Sequence, residues 1–82
     1  MTTAEIAHDA TRAYRDAFTA AESNIRGAAN QAKDHDYRFR AQILAAEYLT
    51  TAVEIYETFF PESMGEALHL DNLQKRLSCV WL

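Results

Sequence analysis

Three histidines, one cysteine and a short run mixing arginines with aromatics are the residues of this 82-residue chain whose types could do chemistry. His8, His35 and His69 stand far apart. None has a second His or Cys at the i, i+3 or i, i+4 spacing by which one helix face holds a metal. No metal site and no cofactor are expected. Asp34-His35-Asp36 has residue types suited to acid–base or metal chemistry, yet two carboxylates ahead of a helix are also what capping requires, and capping needs no further assumption. His69, between Leu68 and Leu70, reads as a helix residue at the solvent edge. Cys79 has no motif that pairs it with a base and reads as a small hydrophobe in the packing. The sequence has no G-x-S-x-G elbow and no glycine-rich phosphate loop, so no catalytic residue is assigned and an enzyme is not expected.

The segment His35-Asp36-Tyr37-Arg38-Phe39-Arg40 is the polar cluster most suggestive of a ligand. Free backbone N–H groups at a helix N-terminus, the helix dipole, an arginine fork and a stacking ring are together what a phosphate or nucleotide uses. Tyr37, Arg38 and Arg40 are therefore candidate anion or nucleotide residues. Against this, Asp34 and Asp36 already bring negative charge to the same end, and the arginines have acidic partners to pair with on the preceding helix.

Elements to position these residues follow from periodicity. Two glycines and one proline punctuate the chain, and nowhere do β-branched residues alternate with polar ones over strand length. The expected class is all-α, with three helices over about 3–33, 36–59 and 64–80, arranged as a small antiparallel bundle or as a long helical hairpin plus a third helix. Residues 1–82 form one domain. The first helix opens on a T-x-x-E capping box, Thr2 to Glu5. Its inner stripe is Ala7, Tyr14, Ala21 and Ala28, flanked by Ala10 and Ala17 on one side and Phe18, Ile25 and Ala32 on the other. Alanine dominates that stripe, so a partner helix can approach closely. Gly27 is a point at which this helix can end or bend, and continuation to about Lys33 is expected.

Pro61 stops the second helix by Phe60. Its polar stripe is narrow: Arg40, Glu47, Thr51, Glu54 and Thr58, widened by Thr50 and Glu57. One flank reads Phe39, Ile43, Ala46, Val53 and Phe60. The other reads Leu44, Tyr48, Ala52, Ile55 and Phe59, with Leu49 and Tyr56 between. That apolar arc is about twice the 100° or so of an ordinary surface helix, so cover is needed on two sides. A second capping box, Ser63 with Glu66, opens the third helix, whose stripe is Leu70, Leu73, Leu77, Val80 and Trp81, with Met64, Ala67 and Leu68 at its start.

Composition bounds the partners. Twelve acidic and eight basic residues leave a net charge of -4, and residues 1–36 and 37–82 carry the same imbalance, so no half is basic. Duplex nucleic acid and anionic membranes are both recognised by clustered Lys and Arg, and neither is an expected partner. No run approaches the roughly 18 apolar residues of a membrane span, and a lone cysteine fits a reducing compartment, so a cytoplasmic location is expected. Two readings of the apolar surplus stand side by side: a self-contained three-helix bundle, and an intermolecular interface. The interface reading gives a non-enzymatic helical interaction module, a homo-oligomer that inhibits or adapts a protein partner. Its anchors are Tyr48, Tyr56, Phe59, Phe60, Leu77 and Trp81.

From Phe60 the sequence runs Pro61-Glu62-Ser63-Met64-Gly65-Glu66-Ala67-Leu68-His69-Leu70-Asp71-Asn72-Leu73. Over residues 60–81 this resembles the phage anti-CBASS sponge family, whose helical hairpins carry a Pro-acidic-Ser turn followed by an S-L-A-L-x-x-L helix rich in late aromatics. The resemblance implies a helical oligomer that sequesters a cyclic nucleotide between subunits by tyrosine stacking and basic residues. Met64 and Gly65 stand where that family has basic residues, and Trp81 lies two places later than its tryptophan, so no ligand residue is carried over. The second functional reading is accordingly an oligomeric sponge for a cyclic nucleotide or another anionic signal.

Overall fold

A computed structural model describes residues 3–80, and it is built of three α-helices: α1 (Thr3–Ala29), α2 (His35–Phe59) and α3 (Met64–Cys79). Two short connections reverse the chain. The start of α2 lies on the end of α1, where Gly27 faces Ala41 and Tyr37, and the end of α2 returns to Tyr14, which meets Phe60. α3 then runs back alongside, parallel to α1, so that Arg76 reaches Glu22. The Thr2 cap and Trp81 lie outside the described residues, as does the side chain of Ala7.

The alanine stripe does what its side-chain size dictates. Ala17, Ala21, Ala45 and Ala52 are buried between α1 and α2, and three of the four have no exposed surface at all. Methyl groups in the seam let the two backbones come close over their whole length. Gly27 does not end or break α1. Its missing Cβ leaves 3.4 Å to the Cβ of Ala41 and 3.5 Å to the ring of Tyr37, so the start of α2 sits directly on it. Larger residues, Tyr14, Ile25, Leu49, Leu70, Leu73 and Leu77, form the core where α3 lies against the pair.

α1 ends four residues earlier than its periodicity predicts. The N–H of Asn30 turns to the carbonyl of Gly27, three residues back, and the Asn30 side chain accepts the N–H of Ala32. Asparagine competes for backbone partners in this way, and it closes the helix before Lys33. α2 starts as predicted, with Asp34 accepting the N–H of Tyr37 at 2.8 Å. The second capping box forms only in part: the Ser63 hydroxyl donates to the Glu66 carboxylate and makes no side-chain cap to the backbone of α3.

The packing is flat. Principal extents are 46 × 23 × 14 Å and the radius of gyration is 13.9 Å, against about 12 Å for a compact domain of this length. Three helices side by side leave α2 open along one edge.

Candidate functional site

That open edge is the outer stripe of α2. Tyr37, Leu44, Tyr48, Ile55 and Phe59 recur at spacings of seven, four, seven and four, which puts them on one line along the helix. Ile55 packs against the core and the Tyr37 ring lies against Gly27 of α1, so Leu44, Tyr48 and Phe59 are its open part. Tyr37, Leu44, Tyr48 and Phe59 are between 39% and 49% exposed, high for side chains of this size. Thr51 and Thr58 lie on the polar stripe at the margin of this line, and their hydroxyls bond the carbonyls of Glu47 and Glu54. The predicted second flank of α2, in contrast, is largely covered: Ala46 and Val53 pack against the core beside Leu77 of α3, leaving Phe39 and Ile43 exposed at its beginning.

The six anchors predicted for an interface are therefore divided. Leu77 is buried in the core and Phe60 sets its ring edge-on to Tyr14 at 5.6 Å, so both face inward. Tyr56 is half-buried and its hydroxyl donates to the carbonyl of Pro61, closing the turn into α3. Tyr48 and Phe59 remain on the surface, joined by Leu44 and Tyr37, which the interface reading had not included. Periodicity could assign these residues to a flank but not say which flank α3 would cover.

The arginine-aromatic cluster sits at the turn between α1 and α2. Arg38 donates through Nε to the carbonyl of Ala28 at 3.0 Å, filling one of the open acceptors at the end of α1. Lys33 lies 5.1 Å from the centre of the Tyr37 ring, a cation–π contact. Arg40 is exposed on α2, and His35 stacks on Phe39 with centroids 6.1 Å apart. Cys79 is exposed on α3 and not packed as expected, because Leu77 and Val80 take the inward positions around it. His8 and His69 are exposed, and among the described residues no three His, Cys, Asp or Glu side chains gather as a metal site would require. Among the described residues no helix is long and apolar enough to cross a membrane.

Several hollows lie between the helices. The most apolar, about 330 Å³, is at the far end of α1 and α3 beside Ile25 and Val80, but the cations at its rim are committed: Arg26 and Arg76 to Glu22, Lys75 to Asp71. A second opening lies between the middle of α1 and the start of α3, lined by Thr11, Tyr14, Arg15, Phe60, Ser63 and Glu66. Its singular feature is Tyr14, which is 7% exposed and whose hydroxyl has no hydrogen-bond partner among the described residues. Sequence reading placed Tyr14 in the core and could not foresee an unpartnered hydroxyl, since the partner, present or missing, belongs to other helices.

Burial raises the pKa of Tyr14, with the nearby Glu66 carboxylate and then Tyr56 pushing the same way. Between the usual tyrosine value, about 10, and this raised value, the unfolded chain sheds the proton that the folded chain keeps. This group's contribution to stability is present at neutral pH and is lost as pH climbs beyond 10. Tyr14→Phe keeps the ring and deletes the hydroxyl. Because a buried unpaired hydroxyl costs about 1–3 kcal/mol, the variant is expected to melt roughly 5–20 °C higher at pH 7 and to lose less stability above pH 10. An unchanged or lower melting temperature at pH 7 contradicts the orphaned state of the hydroxyl.

No protein-family model, curated protein or solved structure matches this chain.

Proposed function

We propose that this chain is a non-enzymatic helical interaction module that pairs with a second copy of itself through the outer stripe of α2 and acts on a protein partner as a small inhibitor or adaptor. The observation that carries this reading is the line of Tyr37, Leu44, Tyr48 and Phe59 exposed along one face of α2. A row of large apolar side chains with polar residues at its margin is the pattern of a helix that a partner covers.

Charge supports a second copy as the first occupant. The margin of the stripe carries Asp36 and then its one cation, Arg40, at the start of α2, and Glu47 and Glu54 further on. An antiparallel two-fold pairing sets Arg40 of each copy beside the acidic end of the other, whereas a parallel pairing sets like against like. Large aromatics at the centre of such a contact carry a disproportionate share of its energy.

Sedimentation equilibrium tests this directly. The expected mass is about twice the 9.3 kDa of the monomer at concentrations of roughly 100 μM. Arg40→Glu is expected to shift the equilibrium toward monomer, and the double variant Arg40→Glu/Glu54→Arg to restore the dimer, with the effect shrinking in high salt. A strict monomer at that concentration removes the proposal. A dimer indifferent to both variants removes the antiparallel pairing.

A further inference from the structure

The opening beside Tyr14 has two adjoining lobes of about 220 and 200 Å³, and Tyr14, Arg15 and Glu66 line both. Each lobe is larger than the roughly 150 Å³ cavity known to take up a benzene ring, and together they reach the size range of small-ligand sites. Aromatic surface forms the floor: Tyr14 meets Phe60 edge-to-face at 5.6 Å and Phe18 at 5.9 Å, and both phenylalanines are half-buried.

The polar groups around this floor are unusual in what they leave unmatched. Arg15 makes no hydrogen bond or ion pair with any described residue. Glu66 takes a hydrogen bond from Ser63 but forms no ion pair with a described residue, so a cation and an anion flank the same cleft without bridging it. The Tyr14 hydroxyl is buried and closed off from the opening, so Arg15 and Glu66 are the charged groups that face an occupant. A ligand with a single charge matches one of these flanking groups and leaves the other facing nothing or its own kind. A ligand with both charges matches both.

We infer that this cleft binds a free aromatic α-amino acid, with the carboxylate on Arg15, the ammonium on Glu66 and the ring on the aromatic surface of Phe18, Tyr14 and Phe60. The site lies on α1 and α3, away from the outer stripe of α2, so it stands or falls separately from self-association.

An NMR titration with L-phenylalanine, using the intact chain, tests the assignment. The expected result is saturable shifts centred on residues 11–19 and 60–69. Phenethylamine, which lacks the carboxylate, and hydrocinnamate, which lacks the ammonium, are each expected to bind about tenfold or more weakly, and glycine to give no saturation. Arg15→Gln and Glu66→Gln, both changes at the rim of the cleft, are each expected to weaken phenylalanine by about tenfold while leaving the melting temperature within a few degrees. Absence of saturable shifts at about 10 mM phenylalanine overturns the inference. So does hydrocinnamate or phenethylamine binding as tightly as phenylalanine, or unchanged affinity in the Arg15 and Glu66 variants.

Discussion

Leu73→Ala is expected to cost about 3–4 kcal/mol, and to lower the melting temperature by roughly 15–25 °C. Leu73 is 1% exposed, among the largest fully buried side chains, and sits in the cluster that binds α3 to the α1–α2 pair. Removing three carbons there forfeits their transfer from water and leaves a void that stiff helices cannot close. A chain of this length has a total stability of about 4–12 kcal/mol, so the loss is a third or more of it at the midpoint of that range. Leu68 supplies the control. It lies in the same helix, is 65% exposed, and Leu68→Ala is expected to change stability by less than about 0.5 kcal/mol. Urea titrations of the two variants check the pair. Equal midpoints mean that α3 does not pack on the face described.

The second large effect comes from adjacent alanines with opposite surroundings. Ala45 has no exposed surface and lies in the seam where α1 and α2 come closest, so Ala45→Leu has nowhere to put its added carbons without prising the helices apart. Overpacking of this kind costs about 1–3 kcal/mol, more where two backbones must move together. Ala46 points to the other side, where a hollow of about 270 Å³ lies between α2 and α3 beside Leu49, Val53 and Leu77. Ala46→Leu fills part of that hollow and is expected to be neutral or stabilising by up to about 1 kcal/mol. Thermal melts should therefore move in opposite directions, or at least differ by several degrees. If Ala45→Leu melts no lower than Ala46→Leu, the close seam is wrong.

Local chemistry explains which features were legible from the residues alone. Asp34 caps α2 and Pro61 ends it because each acts on its immediate neighbours. The alanine stripe of α1 is buried because a 3.6-residue period can be read without knowing the partner. What lay beyond reach depends on contacts across the chain. Asn30 wins the end of α1 from Lys33 through its own side chain. Leu77 and Phe60, predicted as outward anchors, turn inward because α3 lays Leu77 into the core and the turn after α2 sets Phe60 against Tyr14 of α1. Arg38, read as an anion ligand, binds Ala28 of another helix, and Tyr14 is left with an unpaired hydroxyl by the same kind of distant geometry.

An alanine side chain has no rotamers to lose. The seam of Ala17, Ala21, Ala45 and Ala52 therefore forms with almost no freezing of side-chain motion, while each leucine that ties down α3 must settle into one conformer as it docks. The turns on either side of α2 are about equally short, so loop closure favours neither pair, and the low side-chain cost of the alanine seam is what puts α1–α2 first. The chain is thus built to assemble in sequence, a stiff two-helix rod before its third strut, and to open in the reverse order.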